Sequence, residues 1–253
     1  MRRKIKILAH ILAWFLLVAG LAAIFAFSYP GISAVECREI QLNFDEDQPI
    51  KLSRQEIIRL VNTADNKLIG KRLKDINSEI IEQEVNTHAA ILRADAYKTV
   101  VKDTTGLKGI LAVKVIHRTP VMRIMTSDAT YFMDAEGVRF PTSSRYSANV
   151  IIVTGNVSEK LARNSLLPMI MYISDDTFWQ AQIKQVHIDR NEEILLTPLV
   201  GNQLIEFGTA ENYRTKLRNL LAFYEQVVSL NNWDKYERIS LKYRNQVVAK
   251  KRD

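Results

Sequence analysis

The chain has 253 residues, with 35 lysines and arginines against 28 acidic residues and a net charge of +7. Four of the basic residues and no acidic residue lie in residues 1–29, so the remainder has a net charge of only +3. That balance argues against nucleic-acid binding, which needs a strongly basic surface. The single cysteine, Cys37, excludes an intramolecular disulfide, and the ~220 residues after the N-terminal segment suffice for two ordinary hydrophobic cores. We expect Cys37 to be buried, the alternative being an intermolecular disulfide.

The N-terminal segment has the pattern of a membrane anchor. The basic tail, residues 1–6, precedes an uncharged apolar run over residues 7–29 that is long enough to cross a bilayer as a helix. Tyr29 suits the far headgroup level, whereas Trp14 lies deeper in the run. The basic tail is expected to stay cytoplasmic, so the rest of the chain is predicted to be exported. A cleaved signal peptide is the alternative, but its apolar core usually spans about 7–15 residues.

After the anchor, apolar spacing predicts a strand and then a helix. Residues 36–44 alternate between apolar and polar, which is typical of a strand. Ser53 and Glu56 have the spacing of a capping box, in which the two side chains satisfy free backbone N–H groups. The helix that they open is predicted to bury an apolar face. That face consists of Ile57, Leu60, Val61 and Ala64.

A second helix and a hairpin complete the first predicted unit, residues 35–120. The helix is expected to start near Asp75 or Asn77 and to place apolar residues on one face. Those residues are Ile81, Val85 and Ala89. Strands are predicted over residues 96–101 and 110–117, joined by a turn. Pro120 is expected to close the unit, because proline cannot extend a central strand.

The second predicted unit, residues 121–253, is rich in short strands. Gly137 is expected at a positive φ in a hairpin turn. Pro168 is expected to kink or break a helix over residues 161–173. Thr209 is predicted to cap a long helix whose core face carries Tyr213, Leu217, Leu220, Leu221, Tyr224 and Val228. The strands are predicted over residues 130–133, 138–140, 150–154, 183–188, 194–197, 203–207, 236–243 and 246–250.

The usual catalytic and metal-binding patterns do not occur. No serine is followed by lysine three positions later, and no phosphate-binding loop is present. The four histidines are far apart, and we expect each to be a surface or half-buried residue rather than a metal ligand. They are His10, His88, His117 and His187. Asp175 and Asp176 are explained as well by a helix end as by acid–base chemistry. The sequence therefore favours a binding protein with no catalytic residue, metal or cofactor.

Several stretches carry a resemblance to the FtsQ/DivIB family of bacterial division proteins. Residues 112–121, AVKVIHRTPV, resemble that family's strand followed by Glu-Arg-x-Pro-Val. Residues 131–141, YFMDAEGVRFP, are similar to its hairpin, in which an Asp-x-x-Gly turn precedes an aromatic residue and a proline. Residues 204–208 and 239–243 are similar to its C-terminal portion. The departures are His117 for glutamate, Ser240 for aspartate, a turn at 244–246 without glycine, and Lys251 near an aromatic position of some members.

The resemblance implies both a fold and a function. The implied fold is α+β: a single N-terminal transmembrane helix, a POTRA-like βααββ domain over residues 35–120, and a β-rich domain over residues 121–253 with a long penultimate helix. The implied function is a non-enzymatic scaffold of the division septum, single-pass in the bacterial cytoplasmic (inner) membrane with its bulk on the periplasmic side. The implied partners are FtsB- and FtsL-like division proteins and the septal cell-wall synthase complex, with no small-molecule substrate.

The last two strands are the predicted docking site. Alternation from Ile239 to Tyr243 predicts one buried and one wet face, and a terminal strand over residues 246–250 would offer unpaired backbone groups to a partner strand. The predicted partner-binding residues are Ile239, Leu241, Tyr243, Val247 and Val248. The alternative is an edge that its lysines merely protect.

Two other functions stay open. One is an envelope assembly or chaperone factor that holds extended polypeptides with its POTRA-like unit. The other is an anchored cell-wall hydrolase with an unrecognised site.

Overall fold

The computed structural model describes residues 14–23, 34–44, 48–104, 106–143, 147–228 and 235–252. These form two compact units: the first includes residues 34–44 and 53–116, and the second includes residues 48–52 and 117–252.

The predicted anchor is described only in part. Residues 14–23 are helical, and the Trp14 side chain is 69% exposed. Tyr29 and the other residues of the predicted run lie outside the described residues. In the part of the chain that is described, no helix has the length and apolar character needed to span a membrane.

The first unit has the expected βααββ order. Strands β1 and β2 flank β3 in a three-stranded sheet, and β1 runs parallel to β3. The Cys37 side chain at the start of β1 is fully buried, as predicted. The elements are β1 (Cys37–Phe44), α1 (Arg54–Ala64), a 3-10 turn (Leu73–Asp75), α2 (Ser78–Asn86), β2 (Ile91–Asp103) and β3 (Gly106–His117).

Both helices of this unit start at side chains that the sequence identifies. Ser53 Oγ accepts a hydrogen bond from the Glu56 N–H at 3.2 Å, as the capping box predicts. Asn77 Oδ1 caps α2 by accepting from two backbone N–H groups. The predicted face of α2 is wrong at Ala89, which is exposed, because the helix ends at Asn86 and the chain turns.

The second unit contains one mixed sheet of nine described strands, in the order β12-β11-β10-β9-β8-β7-β4-β5-β6. The strands are β4 (Pro120–Met125), β5 (Thr130–Asp134), β6 (Arg139–Pro141), β7 (Ile151–Gly155), β8 (Ile183–Ile188), β9 (Ile194–Pro198), β10 (Leu204–Gly208), β11 (Tyr236–Ser240) and β12 (Val248–Lys251). The helices are a short turn (Glu159–Leu161), a π-helical segment (Ala162–Leu166), α3 (Leu167–Asp175), α4 (Thr177–Gln182) and α5 (Tyr213–Val228).

One face of this sheet and the helices share a single hydrophobic core. Alternate residues of the strands point into it, as the strand period of two requires. Buried members include Met122, Ile124, Val153, Val186, Ile170, Trp179, Leu217, Leu220 and Tyr224.

The sequence predicted that Pro120 closes the first unit. Pro120 instead starts strand β4. That strand was missed, although Pro120, Met122 and Ile124 alternate as buried residues. It lies between β7 and β5, well inside the sheet. Proline is tolerated because it is the first residue of the strand, where its missing N–H removes no interior ladder bond.

Pro168, which the sequence predicted to kink or break a helix, lies just after a change of helix type. Residues Ala162–Leu166 are π-helical, and the Leu167 N–H bonds to the Ala162 carbonyl five residues back. Pro168 then lies in the first turn of α3, where it needs no N–H donor. The wider π turn therefore accommodates the proline without ending the helical segment.

Helix α5 starts later than predicted. Thr209 is not its cap, because the helix begins at Tyr213, four residues further on. Asn212, at a φ of 55°, supplies the first carbonyl acceptor of the helix, for the N–H groups of Thr215 and Lys216. The Thr209 carbonyl instead accepts from Lys216 Nζ at 2.8 Å. The core face is confirmed at Leu217, Leu220 and Tyr224, while the Val228 side chain lies outside the described residues.

Candidate partner-docking edge

Strands β6 and β12 lie at the two edges of the nine-stranded sheet. Strand β6 is three residues long and ends in Pro141, which has no N–H to offer another strand. Strand β12 is antiparallel to β11 and carries no proline. The described residues therefore confirm that the last strand is terminal in its sheet.

The hydrogen-bond register shows which backbone groups of β12 point outward. The Leu241 N–H donates to the Glu206 carbonyl of β10, so the preceding residue, Ser240, faces β12. Ser240 is paired with Val248, and the Arg252 N–H donates to the Lys235 carbonyl at 2.9 Å. Because backbone groups alternate along a strand, the N–H and C=O of Ala249 point away from β11.

The same alternation extends in both directions along the chain. Val247 precedes β12 and Lys251 ends it, and each is two residues from Ala249. Their backbone groups therefore also point toward the side where a further strand would lie.

The side chains of this segment divide between core and solvent. Val247 and Ala249 pack partly against the core, whereas Val248 is 47% exposed. Lys250 is exposed and pairs with Glu237 at 2.9 Å, and this hydrogen bond lowers the pKa of Glu237. A strand added to β12 would thus contact an edge that exposes Val248 and several basic side chains.

The predicted alternation of the preceding strand is wrong at two positions. Ile239 and Leu241 are buried, as expected, but Ser240 is also buried and Tyr243 is 58% exposed. The strand ends at Ser240, so residues 241–243 no longer follow the period of two. Ile239 and Leu241 therefore support the edge from the core side, and Tyr243 lies in the turn.

The turn between β11 and β12 contains no glycine but still has one residue in the left-handed region. Asn245 has a φ of 57°, and the Gln246 N–H donates to the Tyr243 carbonyl at 3.3 Å. Asparagine tolerates the left-handed region better than most residues with a side chain. Asn245 thus takes the conformation for which glycine is usually used.

A polar cleft of about 380 Å³ lies beside this turn, and no sequence pattern predicted it. Its lining includes Glu211, Lys216, Tyr243 and Arg244. Burial lowers the pKa of Lys216, whose Nζ donates to the Phe207 and Thr209 carbonyls. Lys242 pairs with Glu193, and that hydrogen bond raises the lysine pKa. The cleft needs residues from the loop between β10 and α5, from α5 itself and from the last turn, so only the tertiary structure assembles it.

The described histidines have hydrogen-bonding roles within the protein. His117 is buried, which contradicts the predicted surface or half-buried position, and it is hydrogen-bonded to Leu52 and Gln48. Its Nε2 accepts from the Leu52 N–H at 3.0 Å, and its Nδ1 lies 3.1 Å from Gln48 Oε1. His187 Nδ1 lies 2.9 Å from Thr154 Oγ1. Within the described ranges, no three histidine, cysteine, aspartate or glutamate side chains are grouped closely enough to hold a metal.

The acidic pair near residue 175 has a structural explanation. Asp176 Oδ1 accepts from the N–H groups of Phe178 and Trp179, both at 3.0 Å, and so caps α4. This is the helix-end interpretation of the sequence.

Comparisons with known proteins identify the family. The family model described as FtsQ/DivIB, C-terminal related, matches residues 119–250, just over half of the chain. The chain belongs to the FtsQ/DivIB family. A second model, described as a POTRA-like domain, matches residues 35–103. The comparison with curated proteins finds no match.

These matches confirm the resemblance and the α+β fold with its POTRA-like and β-rich domains. The FtsQ/DivIB family is a family of non-catalytic division scaffolds that take part in division complexes. Its domains therefore indicate a cell-division protein.

Proposed function

We propose that this FtsQ/DivIB protein is a non-enzymatic scaffold of the division septum that binds FtsB- and FtsL-like partners and couples them to septal cell-wall synthesis. The observation that supports it most directly is the edge strand β12. Its outward backbone groups at Ala249 and Lys251 are placed to accept one further strand.

The proposed mode of binding is strand addition. An extended partner segment would pair with the outward N–H and C=O groups of β12, at about 0.5–1.5 kcal/mol net for each hydrogen bond. Val248 and Tyr243 supply exposed apolar surface beside that ladder. Exposed basic side chains such as Arg244 would favour an acidic partner and speed its association.

The proposed scaffold is anchored at its N-terminus. Residues 1–6 form a cytoplasmic tail, residues 7–29 cross the cytoplasmic membrane once, and the domains over 35–120 and 121–253 lie on the periplasmic side. The basic residues before an uncharged apolar run support this orientation.

Two measurements test the proposal. A fluorescently tagged full-length copy in dividing cells should form a ring at mid-cell, and the same protein should retain an FtsB-like partner when it is purified in detergent. Uniform envelope labelling without partner capture would contradict the scaffold. That result would instead support an envelope assembly factor, in which the POTRA-like domain binds extended polypeptides.

A further inference from the structure

The POTRA-like unit has an edge strand that should be prone to unwanted pairing. Strand β2 lies at one edge of the three-stranded sheet and is 13 residues long. It exposes the apolar side chains of Leu92, Tyr97 and Val101. A long edge strand with exposed apolar residues is a template for pairing with another chain.

Two side chains of α2 occupy part of this edge. Asn86 Oδ1 accepts from the Ala94 N–H at 2.8 Å, and Asn86 Nδ2 donates to the Ala94 carbonyl at 3.3 Å. Glu82 Oε1 accepts from the Ala96 N–H at 2.7 Å. Asn86 and Glu82 are one helical turn apart, which places both over the same edge.

These contacts reproduce those of a neighbouring strand. The primary amide of Asn86 offers one donor and one acceptor to a single residue, as a paired backbone does. Ala94 and Ala96 are two residues apart, so their N–H groups point to the same side of β2, away from β3. At Ala94 and Ala96, the groups that strand addition would use are therefore already bonded within the unit.

We propose that Asn86 and Glu82 close the outer edge of β2 against strand addition, and that this edge pairs with the same edge of a second copy when the two side chains are removed. An incoming strand must first break three hydrogen bonds, one of them to a carboxylate. These side-chain hydrogen bonds thus oppose strand addition at Ala94 and Ala96, independently of what binds β12.

The test uses the full-length chain in detergent. In a Glu82→Ala/Asn86→Ala variant, the amides of Ala94 and Ala96 should exchange hydrogen on the order of tenfold faster, because their acceptors are gone. Light scattering should show a shift toward twice the wild-type mass. Adding Lys98→Pro should suppress that shift, since the Lys98 N–H lies on the same outward side, two residues beyond Ala96.

Matched variants keep the result interpretable. Glu82→Gln retains the Oε1 acceptor and should keep slow exchange at Ala96, whereas Gln83→Ala, on the solvent side of α2, should change neither readout. A folded double variant with fast exchange but unchanged mass would overturn the proposal. If the double variant does not fold, Glu82→Ala alone decides: unchanged exchange at Ala96 would show that the carboxylate does not hold the edge.

Discussion

Arg118 Nη1 lies 2.6 Å from Asp134 Oδ2, which ties the residues before β4 to the β5–β6 hairpin. Both side chains are largely buried, at 17% and 7% exposure. The second oxygen of Asp134, Oδ1, accepts from the N–H groups of Glu136 and Val138 at 3.0 and 2.8 Å. One carboxylate therefore closes the hairpin turn and holds the Arg-x-Pro segment. Two of the stretches that carry the family resemblance, residues 112–121 and 131–141, are thus in direct contact.

The first prediction concerns this pair. Asp134→Ala should lower the free energy of unfolding by about 3–5 kcal/mol, because it leaves the Arg118 charge without its buried partner and two N–H groups without an acceptor. Urea unfolding followed by circular dichroism measures the change. Asp128→Ala, at an exposed aspartate of the same unit, should cost no more than about 0.5 kcal/mol. Equal losses in the two variants would show that the pair is not a stabilising contact.

The second prediction tests the docking edge. Val247→Pro and Ala249→Pro should each abolish capture of an FtsB-like partner while the protein stays folded, because the lost N–H groups point away from β11. Co-purification and circular dichroism measure the two properties.

Two variants serve as controls for the edge. Lys251→Ala changes only a side chain and should weaken capture little. Lys250→Pro removes a donor that faces β11, so it should lower stability as well. If Val247→Pro and Ala249→Pro remain folded and still bind normally, the partner docks elsewhere, with Tyr243 or the POTRA-like unit as the next places to test.

The third prediction is a pH dependence from Tyr224. Burial raises the pKa of this phenol, and the hydrogen bond from Gln203 offsets part of that effect. Below about pH 10 the phenol is protonated in both the folded and unfolded states, so its contribution to stability is complete. Above that pH the unfolded chain ionises first, and stability falls as the pH rises toward the folded-state pKa.

The measurement compares wild type with Tyr224→Phe by urea unfolding between pH 8 and 11. The phenylalanine variant lacks the ionisable group, so its stability should fall less steeply over this range. Parallel declines would show that Tyr224 ionises equally in both states.

The fourth prediction concerns orientation in the membrane. A reporter that is active only outside the cytoplasm, fused after Asp253, should be active, because the basic residues of the N-terminal tail hold that end in the cytoplasm. Activity of a reporter that works only in the cytoplasm would contradict the orientation and the proposed function with it.

The fifth prediction concerns what stabilises the part of the chain after the predicted anchor. Residues 30–253 should give the same melting curve with and without a chelator or a reductant, because the single cysteine is buried and the described histidines bond within the protein. Differential scanning calorimetry measures the curve. A drop of several degrees with either additive would reveal a metal or an intermolecular disulfide.

Local signals in the sequence were sufficient for many elements. Ser53, Asn77 and Gly137 act on neighbours within a few residues, and the structure places each in the predicted cap or turn. Apolar periodicity located α1, the β5–β6 hairpin and the core face of α5 for the same reason: it records which side of one element is buried. The family resemblance rests on such segments and their order.

Only the tertiary structure decided the features that depend on distant neighbours. Pro120 begins an interior strand because β7 and β5 flank it, and Ser240 is buried although it is polar. Asn86 and Glu82 cover part of the outer edge of β2, and some backbone N–H and C=O groups of β12 point outward. Both features follow from hydrogen bonds between elements, which no local pattern encodes. Sequence period fixes which side of a strand is apolar. Which edge of the strand stays open depends on the neighbours that the fold brings to it.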